Sequence, residues 1–166
     1  MRTCFECGAR MKTKVETVNY DASGLHGVRL AGVRVSRCPN CDDVEVHIPN
    51  IEGLHRALSL EIARKTARLT PEEIRFLRKY LGLSSADFAQ HLGVAPETVS
   101  RWEQGRTPMG TTADRLLRLL ALTREPVSHY PLEMLKDIAK TSPKPLRVEM
   151  KVGGGGWHQS RELAHA

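Results

Sequence analysis

The chain lacks a long apolar run, a leader-like start, more than a few aromatic residues, any cysteine outside two short pairs, and a segment dominated by one charge. Each absence excludes something. No stretch approaches the ~20 consecutive apolar residues of a membrane-crossing helix. Met1-Arg2-Thr3-Cys4 has no apolar core of a secretory signal. A cytoplasmic location follows as an expectation, and there thiols stay reduced and bind metal rather than pair. The net charge is +6 over 166 residues, divided as +1, +3 and +2 over residues 1–50, 51–125 and 126–166. That balance favours an anionic partner only weakly and does not by itself establish nucleic-acid binding. There is no nucleophile–base motif and no phosphate-cradling glycine loop. Gly153–Gly156 precedes no helical pattern and reads as a linker, and His55, His91, His129, His158 and His165 are scattered. No enzymatic activity is expected.

What is present begins with the cysteines. Cys4-x-x-Cys7 and Cys38-x-x-Cys41 are all the chain has. Each pair can bend so that both sulfurs face one ion, and two pairs complete a tetrahedron. Gly8 lets the backbone turn tightly after the first pair. Soft thiolates suit zinc, and four of them leave no position for a reactive water, so a structural Zn2+ site is expected at Cys4, Cys7, Cys38 and Cys41. Iron in a rubredoxin-like site and thiols without metal are the alternatives. Against iron, Phe5 and Tyr20 are the sole aromatic residues of the first 50. His26 and His47 read as surface or strand histidines.

Periodicity divides the chain. Residues 1–50 alternate over Thr13–Val18, Val28–Leu30 and Val33–Val35, with turns at Asp21–Gly24 and Ala31-Gly32 and a last strand at Val44–Ile48. This reads as a small zinc-ribbon-like β domain stapled by metal. Ile51, Leu54, Leu58 and Ile62 then recur at helical spacing, giving a linker helix from Ile51 to about Ala67 within residues 51–69. Residues 70–125 read as an all-α domain. Thr70-Pro71-Glu72-Glu73 is a capping box with proline at the first helical position. Further starts follow at Ser84, Pro96 and Thr111. For residues 126–166 a short helix, Pro131 to Lys140, and a flexible tail are expected. The fold class is α+β.

Ala89, Gly93, Val99 and Trp102, at offsets of 4, 6 and 3, carry a helix-turn-helix. Two helices crossing over a tight turn need a small residue at the crossing, left-handed geometry in the turn, and apolar anchors on the second helix. Val99 and Trp102 face inward. At ~100° per residue, Glu97, Arg101 and Gln104 point outward, flanked by Thr98 and Ser100. Arg101 is the best base reader, because its fork matches both guanine acceptors. Thr98 suits a thymine methyl and Glu97 a cytosine amine. The amides at Ser84-Ser85, and Arg106, suit phosphate. The competing reading makes Arg101 and Glu103 a solvated helix face on an interaction module.

Ser84 to Gly105 resembles the Cro/repressor-like, or XRE-type, helix-turn-helix family in Ala89, Gly93, Val99 and the ending Ser100-Arg101-Trp102-Glu103-x-Gly105. With the cysteine pairs, the order from Met1 to about Leu122 resembles the MqsA-type antitoxins, also called YgiT-type zinc-finger proteins. The resemblance implies a lambda repressor-like all-α domain that dimerises and binds a palindromic operator in its own promoter. It also implies a zinc-bound domain that contacts a small ribonuclease toxin. Its base-reading positions fall on Glu97 and Arg101. The family typically has a polar amide at the first, so Glu97 departs from its pattern and the target sequence does not carry over, while groove docking does. The expectation is a zinc-containing homodimeric repressor, the antitoxin of a toxin–antitoxin pair. A toxin-independent regulator, or a rubredoxin-like iron protein fused to an interaction module, is the alternative.

Overall fold

The computed structural model describes residues 2–123 and 142–162. The expected helix over Pro131–Lys140 lies outside the described residues. The described elements run β1 (Lys12–Asn19), β2 (Val28–Arg37), β3 (Val44–His47), α1 (Ile51–Arg64), α2 (Pro71–Tyr80), α3 (Ser85–Leu92), α4 (Pro96–Glu103), α5 (Thr111–Thr123), β4 (Val148–Gly153) and β5 (Gly156–Glu162). A β-sheet bearing four clustered cysteines is followed by a helical region, and the class is α+β. Among the described residues no helix is long and apolar enough to cross a membrane.

The chain divides into two compact units. One holds residues 2–20, 27–54 and 147–162, and the other holds 21–26, 55–123 and 142–146. The division falls inside α1 and returns the C-terminal segment to the first unit.

In the first unit β2 is central. It pairs antiparallel with β1 along its length and with β3 at its C-terminal half, and parallel with β4 at its N-terminal half. The Ala31-Gly32 pair, expected as a turn between two strands, is instead a bulge within β2. Glu16 faces Val33 and Val18 faces Leu30, so two residues of β2 oppose Thr17 alone, and Gly32 takes a positive φ of 76°. Alternation within β2 buries Val28, Leu30, Val33 and Val35.

The expected flexible tail is corrected over its described part. Val148-Glu149-Met150-Lys151-Val152 alternates, and Val148 and Met150 are buried beside β2, Val148 pairing with Val28 and Met150 with Leu30. Gly153–Gly156 is a hairpin rather than a linker. Gly153 pairs with Gly156, and the two loop residues Gly154 and Gly155 have φ of 55° and 88°. Two left-handed residues form the turn whose twist suits antiparallel strands, and glycine adopts it without Cβ strain. Trp157 donates its indole N–H to the Pro49 carbonyl at 2.9 Å.

In the second unit the helices start as their side chains dictate. Thr70 and Glu73 form a capping box on α2, and Ser84 and Asp87 another on α3. Glu73 is buried and does more than cap. It pairs with Lys65 at 2.5 Å and accepts the Leu146 amide at 3.0 Å, pinning the chain that leads toward β4. Leu58, Ile62, Ile74, Leu77, Phe88, Val99 and Leu117 form the apolar interior. Arg118, fully buried, pairs with Asp114 at 2.6 Å. Its guanidinium also donates to the carbonyls of Ile62, Ala63, Lys65 and Ala67, satisfying the C-terminal end of α1 and the chain beyond it. Asp114 in turn accepts the Leu69 amide at 2.9 Å.

Candidate functional site

The two cysteine pairs are built by the same local geometry. In the first, the Cys4 amide donates to the Ala9 carbonyl at 2.8 Å, and Gly8 between them has φ 71°. In the second, the Cys38 amide donates to the Asp43 carbonyl at 2.9 Å, and Asp42, at the position matching Gly8, has φ 56°. Aspartate is among the few non-glycine residues that tolerate this region. The two loops are thus equivalent about the cluster, and each presents two sulfurs inward.

All four sulfurs lie within 4.8 Å of one another. Cys7 to Cys38 is 3.4 Å, and Cys4 to Cys41 and Cys7 to Cys41 are each 3.5 Å. These distances are too long for a disulfide bond, whose sulfurs are ~2.05 Å apart. A tetrahedron with metal–sulfur bonds of ~2.3 Å has edges of about 3.8 Å. These three separations lie just inside that edge and none of the others exceeds 4.8 Å, so the cluster is of the size that one tetrahedral ion requires.

Backbone amides also point at the sulfurs. Cys38 receives the Asn40 amide first and then that of Cys41, and its thiol is held down to about 7. Cys4, Cys7 and Cys41 receive amides from Cys7, Ala9 and Asp43 respectively, but burial first for Cys4, and neighbouring sulfurs first for Cys7 and Cys41, carry their thiols above the ordinary value. Amide donors offset negative charge on sulfur, which is what a four-thiolate metal site requires. The residues present fit a structural metal. Cys4 and Cys38 are buried with Met11, and Cys7 and Cys41 are exposed.

The second site is on α4. Gly93 ends α3 in the left-handed conformation at φ 65°, and its amide reaches the carbonyls of Ala89 and Gln90. Ala89, Phe88 and Val99 are buried, and Trp102 is 7% exposed. This packing decides which face of α4 is outward. Glu97, Arg101, Gln104 and Arg106 are exposed, and Thr98 and Ser100 are half-buried. Gln104 donates its amide to the Ser100 hydroxyl at 2.9 Å, so these two present one joined polar surface. Ser84 is exposed, but its hydroxyl is committed to Asp87, donating to the carboxylate at 2.6 Å. Ser85 stands half-buried at the first turn of α3.

Glu103 departs from the solvated-face alternative. It is 8% exposed and takes a two-pronged bond from Arg78 at 2.5 and 3.1 Å. Arg78 also donates to the Leu83 carbonyl at 2.8 Å, and Arg75 donates to the Glu103 carbonyl at 2.6 Å. α4 is therefore clamped to α2 at its C-terminal end, one residue after Trp102 and two after Arg101. Sequence periodicity did not reveal Arg78, Glu103, Asp114 or Arg118, since charged residues on a helix ordinarily read as solvated. The available signal for Glu103 was its adjacency to the inward-facing Trp102.

Residues 59–129 match the family model of a helix-turn-helix domain. The chain carries such a domain, and the match covers α2 to α5. A provisionally named HTH-type transcriptional regulatory protein of Methanoculleus marisnigri is 28% identical over 95 residues. That similarity takes in 57% of this chain, and the chain spans 29% of the relative's length.

Proposed function

We propose that this protein is a zinc-containing, dimeric transcriptional repressor, the antitoxin of a toxin–antitoxin pair, which reads a palindromic operator in its own promoter. The observation that carries the DNA-reading part is the outward face of α4. Arg101 and Gln104 stand exposed on a helix anchored by Val99 and Trp102 and clamped through Glu103 to Arg78. A rigid helix bearing a planar donor fork fits major-groove readout. Arg101 is the principal base reader. Glu97, Thr98, Ser100 and Gln104 complete the base-facing surface, and the Ser85 amide, with Arg106, holds phosphate, the Ser84 amide being taken by the Asp87 carboxylate at 3.1 Å. The helix-turn-helix match and the regulator-like relative support the same reading.

Zinc is the proposed ion because four clustered sulfurs would fill its tetrahedral coordination and leave no open position. Cys4, Cys7, Cys38 and Cys41 are its ligands, and its role is to hold the first unit in shape. The toxin partner is supported by the resemblance of the paired cysteines and the helix-turn-helix order to MqsA-type antitoxins. A dimer is supported by α5, where Leu119 is 41% exposed and Leu116 and Leu120, on the same side, are half-buried. Two-fold symmetry then sets the half-sites about one helical turn, ~34 Å, apart.

The test is a fluorescence-anisotropy titration of DNA from directly upstream of the gene against scrambled DNA at one fixed salt concentration. Native protein should prefer the upstream DNA, and Arg101→Ala should lose ~1–3 kcal/mol of that preference. Equal, weak binding of both DNAs by both proteins removes the promoter reading. Co-purification with the product of an adjoining gene tests the toxin part. A toxin-independent regulator would keep the DNA preference without such a partner.

A further inference from the structure

We infer that the face of the β1–β2–β3 sheet next to the cysteine cluster is a docking surface for an acidic protein segment with branched apolar side chains. In an antiparallel pair, residues in register share a face. Lys12 faces Arg37, and Arg37 faces Val44 on the other side. Lys14 faces Val35, and Val35 faces Val46. Two adjacent rows therefore run across three strands, each with lysine at one end and valine at the other. Val44 is 49% exposed and Val46 40%, while Lys12 and Lys14 are exposed. Over these rows lies a basin of about 350 Å³ lined by Lys12, Lys14, Glu16, Val35, Arg37, Cys38 and Pro39, in which Glu16 is the one acidic group and its charge is met by Arg37.

The chemistry of this face selects its occupant. Arg37 is committed to Glu16 at 3.0 Å, but among the described residues neither lysine has an ion-pair partner. Two ammonium groups are thus left for a ligand's carboxylates. The buried Val35 floors the basin, and the two half-exposed valines extend an apolar strip along one side. A carboxylate-bearing segment that also inserts a branched apolar side chain satisfies both halves, and charge complementarity sets its register. A nucleic-acid strand fits less well, because sequence-tolerant binding of strands rests on aromatic stacking and no aromatic residue lines this basin. The inference rests on the proposed function only in taking a protein as the partner of this unit. It requires neither a ribonuclease toxin nor DNA binding.

The test uses the full-length, metal-loaded protein and a phage-displayed library of short random peptides. Selection should enrich peptides with several Asp or Glu residues around Val, Ile or Leu. A labelled synthetic copy of the leading peptide is then titrated against the native protein, Lys12→Glu/Lys14→Glu, and the milder Lys12→Gln/Lys14→Gln. Circular dichroism and metal content verify that each variant is folded. Charge reversal should weaken binding roughly tenfold or more, neutralisation less, and a lysine-for-acid peptide should bind the reversed variant better than the native. Enrichment of no acidic-apolar class, affinity indifferent to charge reversal, or displacement of the peptide by oligothymidylate would each overturn the proposal. Upstream-DNA titration of the same variants separates it from the promoter reading. Unchanged DNA preference is expected if the operator is read by α4, and loss of that preference on reversing Lys12 and Lys14 would reassign this face to DNA.

Discussion

Asp114 and Arg118 are one turn apart on α5 and almost entirely removed from water. Such a pair offsets its desolvation only through its own bond and the further bonds each partner makes. Here both make them, Asp114 to the Leu69 amide and Arg118 to the carbonyls beyond α1. Removing one partner leaves the other buried and unpaired. Arg118→Ala is therefore expected to lower stability by ~3–5 kcal/mol in a urea titration. Asp87 shows a different kind of residue effect. The Ser84 hydroxyl, and then its amide, hold the Asp87 carboxyl below its ordinary value. A depressed folded value means that the contribution is complete above the unfolded value and disappears as pH falls through the folded one. Asp87→Asn should flatten the stability loss of the native protein below about pH 4, measured as melting temperature against pH.

α3 and α4 show how little an element needs when its ends are specified. Each is eight residues long and marginal in isolation. Ser84 and Asp87 start α3, Gly93 stops it, and Pro96 opens α4. Trp102 and the Arg78–Glu103 clamp then fix the orientation of α4. The β4–β5 hairpin rests equally on its turn. Gly155 has φ 88° and no neighbour within 4 Å of an added Cβ, so substitution there costs backbone strain rather than a clash. Gly155→Val is expected to destabilise the hairpin by about 1–2 kcal/mol. Faster amide exchange over Val148–Glu162, with exchange in α2 unchanged, would register that loss.

At the scale of the molecule, the sheet of the first unit is assembled from segments far apart in the chain, and its cysteine end holds only a small buried cluster. Cys4, Met11 and Cys38 are that cluster. A cluster of that size supplies little, and a metal bound by the four cysteines would add to it. Zinc content of about one ion per chain is expected, and chelation should abolish the exchange protection of β1–β3 while leaving that of α2–α5. Equal loss in both units would mean that the metal is not a local staple of the first.

The features visible in the sequence are those that close within a few residues. Thr70 with Glu73, Ser84 with Asp87, Gly93 after α3, and the inward pair Val99 and Trp102 each follow from spacings of one helical turn or a single terminal conformation. The C-x-x-C pairs are local in the same sense, although the sulfurs of one meet those of the other only across the fold. Tertiary structure decided the rest, because the partners are remote. Nothing near Val148 or Met150 marks them as neighbours of Val28 and Leu30, more than a hundred residues earlier. The Gly-Gly turn that makes their strand a hairpin is itself local and was hidden by its resemblance to a linker. Whether Glu103 and Arg118 meet water depends on Arg78 and on the carbonyls after α1, which no helical period encodes. Local spacing set the caps, the turn and the cysteine pairs. Burial and long-range pairing settled which charges hold the helices together and which strands complete the sheet.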